Sequence, residues 1–469
     1  MMKPIVFGLS KENRYMVHLK KYTFIIFALV VVCNLKAQEA KSNSFSIQQA
    51  IDYAMKNSPN VQNAELDKLN AIYRKNEITG TGLPQVNGSL DVKDYINIPT
   101  SLLPAVIFGG PAGTYIPVKF GTKYNATAGL TASQLIFNSD YLFGLKASGQ
   151  FVGLFDINIK RSKIELTSQL TKAYYTVLVN QERLKFYDAS LARVEKLNND
   201  IKAAYKEGLA EQIEVERWEV QLNNLKNEKE KGEKLVGLAL TALKFQMGYK
   251  LSDELILTDK LDANEDQSQE MSLAAIQVKS RPDLLMLQTQ QNLYELDIKR
   301  LKYGYLPTLA AYSSLQYNAQ RSTFNLLQFD KNNLNKKWFP ISLVGVTLNM
   351  NLFDGLQRYN KIQQAKITSQ KSLNNLKSIE MAFELEANQA VVLYNNALTS
   401  LRMQKKNMDL AQHIIEVTTK KFQAGVGNNF DIINAEASLK EAQTNYYTAL
   451  YELLMSKVDY QRATGTLTK

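Results

Sequence analysis

Two carboxylates occupy matching positions at two predicted turns of the chain. Asp431 lies six residues after Gly425, and Glu214 lies six residues after Gly208. In each place one helical pattern ends near the glycine and another begins before the acid, which predicts a helical hairpin. The simpler interpretation of Asp431 by itself is that an acid in the first turn of a helix interacts favourably with the helix dipole.

Other residues that could carry chemistry are few. The sequence has no nucleophile motif, no phosphate-binding loop and no paired set of metal ligands. His413 is a lone histidine on a predicted helix, where a surface position is the simpler interpretation. We therefore expect no enzyme activity, no metal site and no cofactor.

Both turns belong to a duplication that covers most of the chain. A shift of about 217 positions places Gly208 on Gly425 and Gly248 on Gly465, and it aligns the segments QLIFNSD and MNLFDG to within a residue. Each repeat is expected to contain a helix, two strands, a long helix, a turn and a last helix. The predicted division is a first repeat at 38–248, a polar linker at 249–271 and a second repeat at 272–469.

The segment 1–37 is typical of a secretory signal peptide. Two lysines precede an apolar run that is too short to span a bilayer, and cleavage is expected after Ala37. The basic region is long, so Met16 is an alternative start to Met1. Cys33 could be interpreted as a lipoprotein cysteine, but the bulky residue before it argues against this.

The charge balance and the cysteine content limit the kinds of protein that this chain could be. The chain has 56 Lys and Arg residues against 45 Asp and Glu, a net charge of +11 over 469 residues. This balance is typical of a solvated surface, and we expect no nucleic-acid partner. The single cysteine lies in the predicted leader, so packing rather than disulfides must hold the exported protein together.

Four segments alternate between apolar and polar residues with the period of a β-strand. Each is long enough to cross a membrane, which takes about 9–11 residues, and aromatic residues lie at several strand ends. A soluble hairpin with one face on a core is the alternative. Four strands cannot close a membrane barrel, which needs at least about eight, so two or three chains would have to share one. The predicted strands are 85–98, 119–137, 308–320 and 338–353, joined by loops at 99–117 and 321–337.

Two long segments without proline, 139–206 and 355–424, are predicted to be helices. At 1.5 Å per residue each would be about 100 Å long, which exceeds any single globular core. After the second turn, apolar residues recur in a strict 3-4-3-4 spacing, which indicates a coiled-coil seam. The members of this seam are Ile432, Ala435, Leu439, Ala442, Tyr446, Ala449 and Leu453.

The chain resembles the TolC family of outer-membrane efflux channels over nearly its whole mature length. The residues that carry the likeness are GLPQV and YLPTL before the strands, NLFDG after the last strand, and AGVGNNFDIINAEASL at the second turn. The resemblance implies a mixed α and β membrane protein. Three chains would each give four strands to one β-barrel in outer-membrane lipid, and their helices would form an α-helical barrel in the periplasm. It also implies a periplasmic adaptor and an inner-membrane pump as partners, and no catalysis.

The resemblance also assigns roles to residues at the turns. The family places acidic rings at the periplasmic constriction, and the matching positions are Asp431 and Asn434. Three Asp431 carboxylates would favour cations, while Asn434 in place of a second acid weakens that selectivity.

Family members also tether neighbouring hairpins through a Tyr and an Arg bonded to an acid at the first turn. The acid position is Glu214, but the other two positions hold Phe422 and Gly427. The tether is therefore expected to be weakened, or rebuilt through Arg217. Gly208, Gly425 and Gly427 would allow the turns themselves.

The resulting functional prediction is an outer-membrane channel that exports drugs or toxic compounds from a tripartite pump. The same architecture could instead serve type I protein secretion or metal-ion efflux. A coiled-coil surface structural protein would explain the helices but not the strands or the duplication. Cargo depends largely on the pump, so the sequence does not name it.

Overall fold

The computed structural model describes residues 43–261, 268–272, 281–330, 332–333 and 336–467. The predicted signal peptide lies outside the described residues, as does part of the predicted linker. Across the described residues the chain alternates long helices with antiparallel strands, and the prediction of a mixed α and β protein is confirmed. The helices are α1 (Ile47–Asn57), α2 (Pro59–Thr81), α3 (Ser139–Lys206), α4 (Gln212–Met247), α5 (Pro282–Tyr303), α6 (Gln357–Gln423) and α7 (Asn429–Thr464).

The strands form three separate sheets. They are β1 (Ser44–Phe45), β2 (Gln85–Asp94), β3 (Thr100–Pro104), β4 (Tyr115–Lys119), β5 (Tyr124–Phe137), β6 (Ile256–Leu257), β7 (Thr308–Arg321) and β8 (Phe339–Asn349). The largest sheet is antiparallel in the order β2-β5-β7-β8, while β3 pairs with β4 and β1 with β6. Strands β2 and β8 are therefore the two edges of the four-stranded sheet, and all ten residues of β2 are exposed.

The observed strands differ from the predicted ones at the end of the sheet away from the helices. The first strand stops at Asp94 rather than residue 98, and the predicted strand 119–137 is two strands. Gly121 has φ +118°, a conformation that interrupts the extended backbone between β4 and β5. The segment predicted as a loop at 99–117 contains a second hairpin, β3–β4, linked by the 3₁₀ turn Ala105–Phe108.

The last strand is also shorter than predicted, ending at Asn349 rather than 353. Asn349 pairs with Thr308, the first residue of β7, so the ladder has no further partner beyond it. The following residues turn toward α6 through two consecutive positive φ values, 63° at both Gly355 and Leu356.

The chain divides into two compact units. One contains the residues up to Ala54 with Thr176–Asp262, and the other contains Met55–Tyr175 with the residues from Ala263 onward. In the first unit the later part of α3 runs antiparallel to α4. Three ion pairs join these two helices and show their register: Lys202–Glu219 at 2.6 Å, Lys226–Glu195 at 3.6 Å and Lys229–Asp188 at 2.6 Å.

The second unit contains the four-stranded sheet and the α6–α7 hairpin. Of the seven predicted seam residues on α7, five are buried, and Ala442 and Tyr446 are half-buried. On α6 the buried residues are densest from Ala387 through Tyr394 to Leu401. The hairpin is therefore held by aliphatic and alanine contacts, which are the contacts that a coiled-coil seam provides.

A network of ion pairs fixes four helices of the second unit to one another. The Arg281 guanidinium lies 2.7 Å from Glu386 Oε2 and stacks 3.8 Å from the centre of the Phe383 ring. Arg462 reaches both Glu386 Oε1, at 3.1 Å, and Glu165 Oε2, at 3.4 Å. These residues come from α3, α6, α7 and the start of α5, so one cluster of charges joins all four helices.

In the part of the chain that the structure describes, none of the helices combines the length and apolar character needed to cross a membrane.

Candidate gate residues at the two helical turns

The second turn connects α6 to α7 through a compact, hydrogen-bonded loop. The Gly425 N–H donates to the Phe422 carbonyl at 2.9 Å, and the Val426 N–H donates to the Lys421 carbonyl at 3.0 Å. Gly425 has φ +75°, where glycine has no steric cost. The carbonyls at the end of α6 are thereby satisfied by the arrangement that commonly ends a helix.

Gly427 serves the turn in a different way from Gly425. Its φ is not positive, but a Cβ atom at this position would lie 2.6 Å from the backbone nitrogen of Phe422. The close approach is backbone against backbone, so no rotamer change would relieve it. Position 427 therefore excludes every side chain in this turn, including an arginine that could tether a neighbouring hairpin.

The start of α7 is fixed by Asn428, whose side-chain Oδ1 accepts a hydrogen bond of 3.0 Å from the Phe430 N–H. This is the N-cap position, where asparagine is among the favoured residues. Asp431 follows in the first turn of α7. Its carboxylate can therefore interact with the helix dipole, as the simpler interpretation of the sequence proposed.

Asp431 and Asn434 lie on the exposed side of α7, while Ile432 and Ala435 between them are buried. Within the described residues, neither the Asp431 carboxylate nor the Asn434 amide forms a side-chain hydrogen bond or ion pair. Because their spacing is three residues, they face the same way along the helix. The structure thus brings the two predicted constriction residues together on one free surface.

The same exposed stripe continues to Ser438 and Glu441, at helical spacings of four and three residues. Glu441 is not among the residues that the sequence predicts for the constriction. The signal was present, since Glu441 follows Asp431 by ten residues and the apolar seam fixes which face of α7 is free. A second acid per chain therefore lies on the side of α7 that carries Asp431, further along the helix.

The first turn, in the other unit, connects α3 to α4. Gly208 has φ +75°, and its N–H donates to the Tyr205 carbonyl at 3.0 Å. The Glu214 carboxylate accepts a hydrogen bond of 3.4 Å from the Glu211 N–H, which places it in a capping role at the start of α4. The Glu214 side chain is half-buried. Its hydrogen bond to the Glu211 N–H stabilises the start of α4.

Arg217 lies one turn further along α4 and is exposed. Its guanidinium makes no hydrogen bond or ion pair with any residue in the described ranges. The adjacent Trp218 is fully buried and anchors this part of α4 in the core of its unit. Arg217 is thus a cation held on a fixed helix and available to a partner.

Neither turn, as far as the structure describes it, brings together a set of metal ligands. Among the residues that the structure describes, no three His, Cys, Asp or Glu side chains come together in a way that could hold a metal ion. What the two turns offer is a set of single charges and amides on exposed helix faces, next to backbone turns that depend on glycine.

Comparisons with known proteins agree on one family. The model of the family described as "Outer membrane efflux protein" matches residues 273–466. The outer membrane protein TolC of Vibrio cholerae is 22% identical over 349 residues, covering 73% of this chain and 77% of that protein. The alkaline protease secretion protein AprF of Pseudomonas aeruginosa is 27% identical over 189 residues, covering 40% of this chain and 35% of AprF.

Among solved structures, the chain is similar to CusC, with a TM-score of 0.71. The CusC structure comes from a study of the conformational changes that accompany its folding and transmembrane channel formation. The likeness covers 89% of this chain and 92% of CusC at 16% sequence identity. At that identity the match establishes the fold. The predicted resemblance to the TolC family is confirmed by these findings taken together.

Proposed function

We propose, from the resemblance of this chain to the TolC family of outer-membrane efflux proteins, that three copies form one channel through the outer membrane and the periplasm. The channel would take small toxic molecules from an inner-membrane pump through a periplasmic adaptor. We propose no catalytic role and no bound cofactor.

The observation that carries the proposal is the four-stranded sheet with two open edges. Every residue of β2 is exposed, and in β8 all but Gly345 and Thr347 are exposed. In lipid, unpaired backbone N–H and C=O groups cost several kcal/mol each, so an open sheet cannot remain there. Pairing β8 of one copy with β2 of the next removes both edges, and three copies would close a ring of twelve strands.

The lengths of α3 and α6 support the periplasmic part of the proposal. These helices have 68 and 67 residues, which corresponds to about 100 Å each. Neither contains a proline, so neither is interrupted along its length. Helices of this length suit a conduit that crosses an aqueous compartment.

For the gate, we propose that the exposed stripe of α7 faces the axis of the assembly. Asp431 would supply one carboxylate per copy and Asn434 one amide, so the constriction would attract cations through a single acidic ring. Glu441 would add a second ring further along the helix.

For the contact that holds the gate closed, we propose that Arg217 takes the place of the missing tether. Position 427 cannot hold a side chain in the observed turn, and Phe422 has no polar group. Arg217, by contrast, is exposed and unpaired within the described residues.

The proposal is tested by adding purified protein to a planar bilayer. We expect discrete conductance steps and, in native mass measurements, a trimer. Protein that is monomeric and gives no conductance in any preparation would disprove the channel. N-terminal sequencing should begin at Gln38 if the predicted signal peptide is removed.

The partial match to AprF supports a second candidate, the export of a protein rather than of small molecules. A strain that lacks this chain distinguishes the two. Increased sensitivity to small toxic compounds with unchanged protein secretion supports the first candidate. Loss of one secreted protein with unchanged sensitivity supports the second.

A further inference from the structure

The β3–β4 hairpin carries an apolar surface that nothing in its own chain covers. From Tyr95 to Val118 the sequence contains no Asp, Glu, Lys, Arg or His. Within the hairpin itself, Thr100 to Lys119, the large apolar side chains that are exposed are Leu102, Val106, Ile107, Phe108, Tyr115 and Ile116. Exposed apolar patches of this extent mark interaction sites.

The hairpin has a defined structure rather than being a loose loop. The strands pair from Thr100 with Lys119 to Pro104 with Tyr115, and the Gly110 N–H donates to the Ala105 carbonyl at 2.9 Å. Two hydrogen bonds join the two chain segments that run between this hairpin and the β2–β5 ladder: Tyr95 N–H donates to the Lys123 carbonyl at 2.7 Å, and Phe120 N–H donates to the Pro99 carbonyl at 3.2 Å. The apolar tip therefore extends the β2–β5 hairpin beyond the four-stranded sheet.

A second uncharged apolar surface lies between β7 and β8. The segment 322–329 has no charged residue, and its Leu327 is 100% exposed, with Phe329 also exposed. The neighbouring Leu326 is buried against Ala126 and Ala319, which holds the segment in place on the sheet. Both surfaces lie at the end of the sheet away from the helices.

A lipid surface does not suit the β3–β4 hairpin. A two-stranded hairpin has two open edges, and their unpaired backbone groups would be costly in hydrocarbon. Prolines at positions 104 and 117 lie in its two strands, where they discourage pairing with a further strand. The surface that remains for a partner is the apolar side-chain face.

The order of strands identifies the partner as a second copy of this chain. Within one chain, β5 pairs with β7, so the strands that lead to the β3–β4 hairpin and to the 322–329 segment are neighbours on that side. Ile107 and Leu327 nonetheless stay exposed. If β2 of one copy pairs with β8 of the next, as in the proposed function, the hairpin also adjoins the 322–329 segment of that next copy, at a strand spacing of about 4.8 Å.

We propose that the β3–β4 hairpin of each copy packs against the 322–329 segment of the adjacent copy. The contact rests on the proposed trimer, and it forms an apolar collar at the end of the barrel away from the helices. Burial of these side chains removes the exposed apolar surface from water on both partners.

Paired cysteines test the contact directly. The only cysteine in the sequence is Cys33, in the predicted signal peptide, so introduced cysteines have no background. We would combine Ile107→Cys with Leu327→Cys, oxidise the purified protein and separate it on a non-reducing gel. The expected result is covalent dimers and trimers that revert to monomers on reduction.

Two controls make the result specific. The first pairs Leu327→Cys with Leu83→Cys, an exposed residue just before the other end of β2, and should give no linked species. The second is maleimide labelling of Ile107→Cys alone, which should be slow in the trimer and at least tenfold faster after denaturation.

The outcomes separate this inference from the proposed function. The protein could be a trimer in native mass measurements and yet show no inter-chain link, or show fast labelling of Ile107→Cys. Either result would contradict the proposed collar and remain compatible with the proposed channel. Linkage that stays within one chain also overturns the collar. A protein that is monomeric in every preparation overturns the proposed function as well.

Discussion

A side chain at position 427 would bring its Cβ to within 2.6 Å of the backbone nitrogen of Phe422. The α6–α7 turn is therefore specific for glycine at a residue whose own φ is unremarkable. The observed backbone of the turn leaves no room at this position for an arginine, the residue type that the resemblance would place there for the tether. The path of this turn therefore excludes a tethering side chain at position 427.

Gly427→Ala is expected to destabilise the α6–α7 turn by about 1–3 kcal/mol, because backbone atoms cannot move aside as a side chain can. In the proposed channel this would increase the open fraction. The measurement is single-channel recording, combined with limited proteolysis of the turn. Ala424→Ser, in the same turn, is the control and should leave both unchanged. Equal cleavage in Gly427→Ala and the parent protein would show that the turn accommodates the methyl group.

Asp431→Asn should lower the preference of the channel for cations, because it removes the proposed acidic ring while keeping the size of the side chain. Asn434→Asp should raise the preference by adding a carboxylate on the same exposed face. Both effects are measured as shifts of the reversal potential in a salt gradient. If the two variants give the same potential as the parent protein, the stripe on α7 does not face the pore.

Glu386→Gln should lower the stability of the second unit, because Arg281 and Arg462 share this carboxylate. Breaking a buried ion pair costs about 3–5 kcal/mol, and since Glu386 is about a third exposed we expect roughly 1–3 kcal/mol. Thermal unfolding of the purified protein measures the change. Glu77→Gln, which affects the exposed pair with Arg74, is the control and should change stability by less than about 0.5 kcal/mol.

Tyr249→Phe should reduce the loss of stability in alkali. Burial raises the pKa of Tyr249 above its ordinary value of 10.0. As the pH rises past 10, the unfolded chain loses this proton first, so the unfolded state binds fewer protons and the free energy of unfolding falls. The variant should lose about 0.5–1.5 kcal/mol at neutral pH, from the hydrogen bonds of the hydroxyl to Asn43 and Glu254.

Denaturant unfolding at pH 8 and pH 11 tests this prediction. The free energy of unfolding should fall less between these pH values in Tyr249→Phe than in the parent protein. Tyr73→Phe, at an exposed position, is the matched control and should follow the parent curve. A Tyr249→Phe curve parallel to that of the parent protein would contradict the prediction.

The sequence predicts the elements whose pattern is local and long. The proline-free segment 139–206 is one helix with those bounds, and the apolar spacing after the second turn identifies the face of α7 that is buried. Prediction from periodicity works for these helices because many residues at helical spacing indicate the same buried face.

The parts that could not be predicted depend on contacts between distant residues. The β3–β4 hairpin lies in a stretch rich in Pro and Gly, and its pairing becomes visible only when Thr100 is opposite Lys119. The restriction at Gly427 depends on the path of the turn back to Phe422. The capping role of Glu214 depends on the backbone of Glu211, which no spacing of acids reveals.

If the proposed trimer forms, the open edges of β2 and β8 also determine the order of events in its biogenesis. A single chain cannot enter the membrane and wait there for its partners, because both edges would face hydrocarbon with their backbone groups unpaired. The three chains of the proposed channel would therefore have to meet before or during insertion, and the rate of channel formation should rise more steeply than linearly with the concentration of the chain. Until then, each chain needs protection from pairing with the wrong edge.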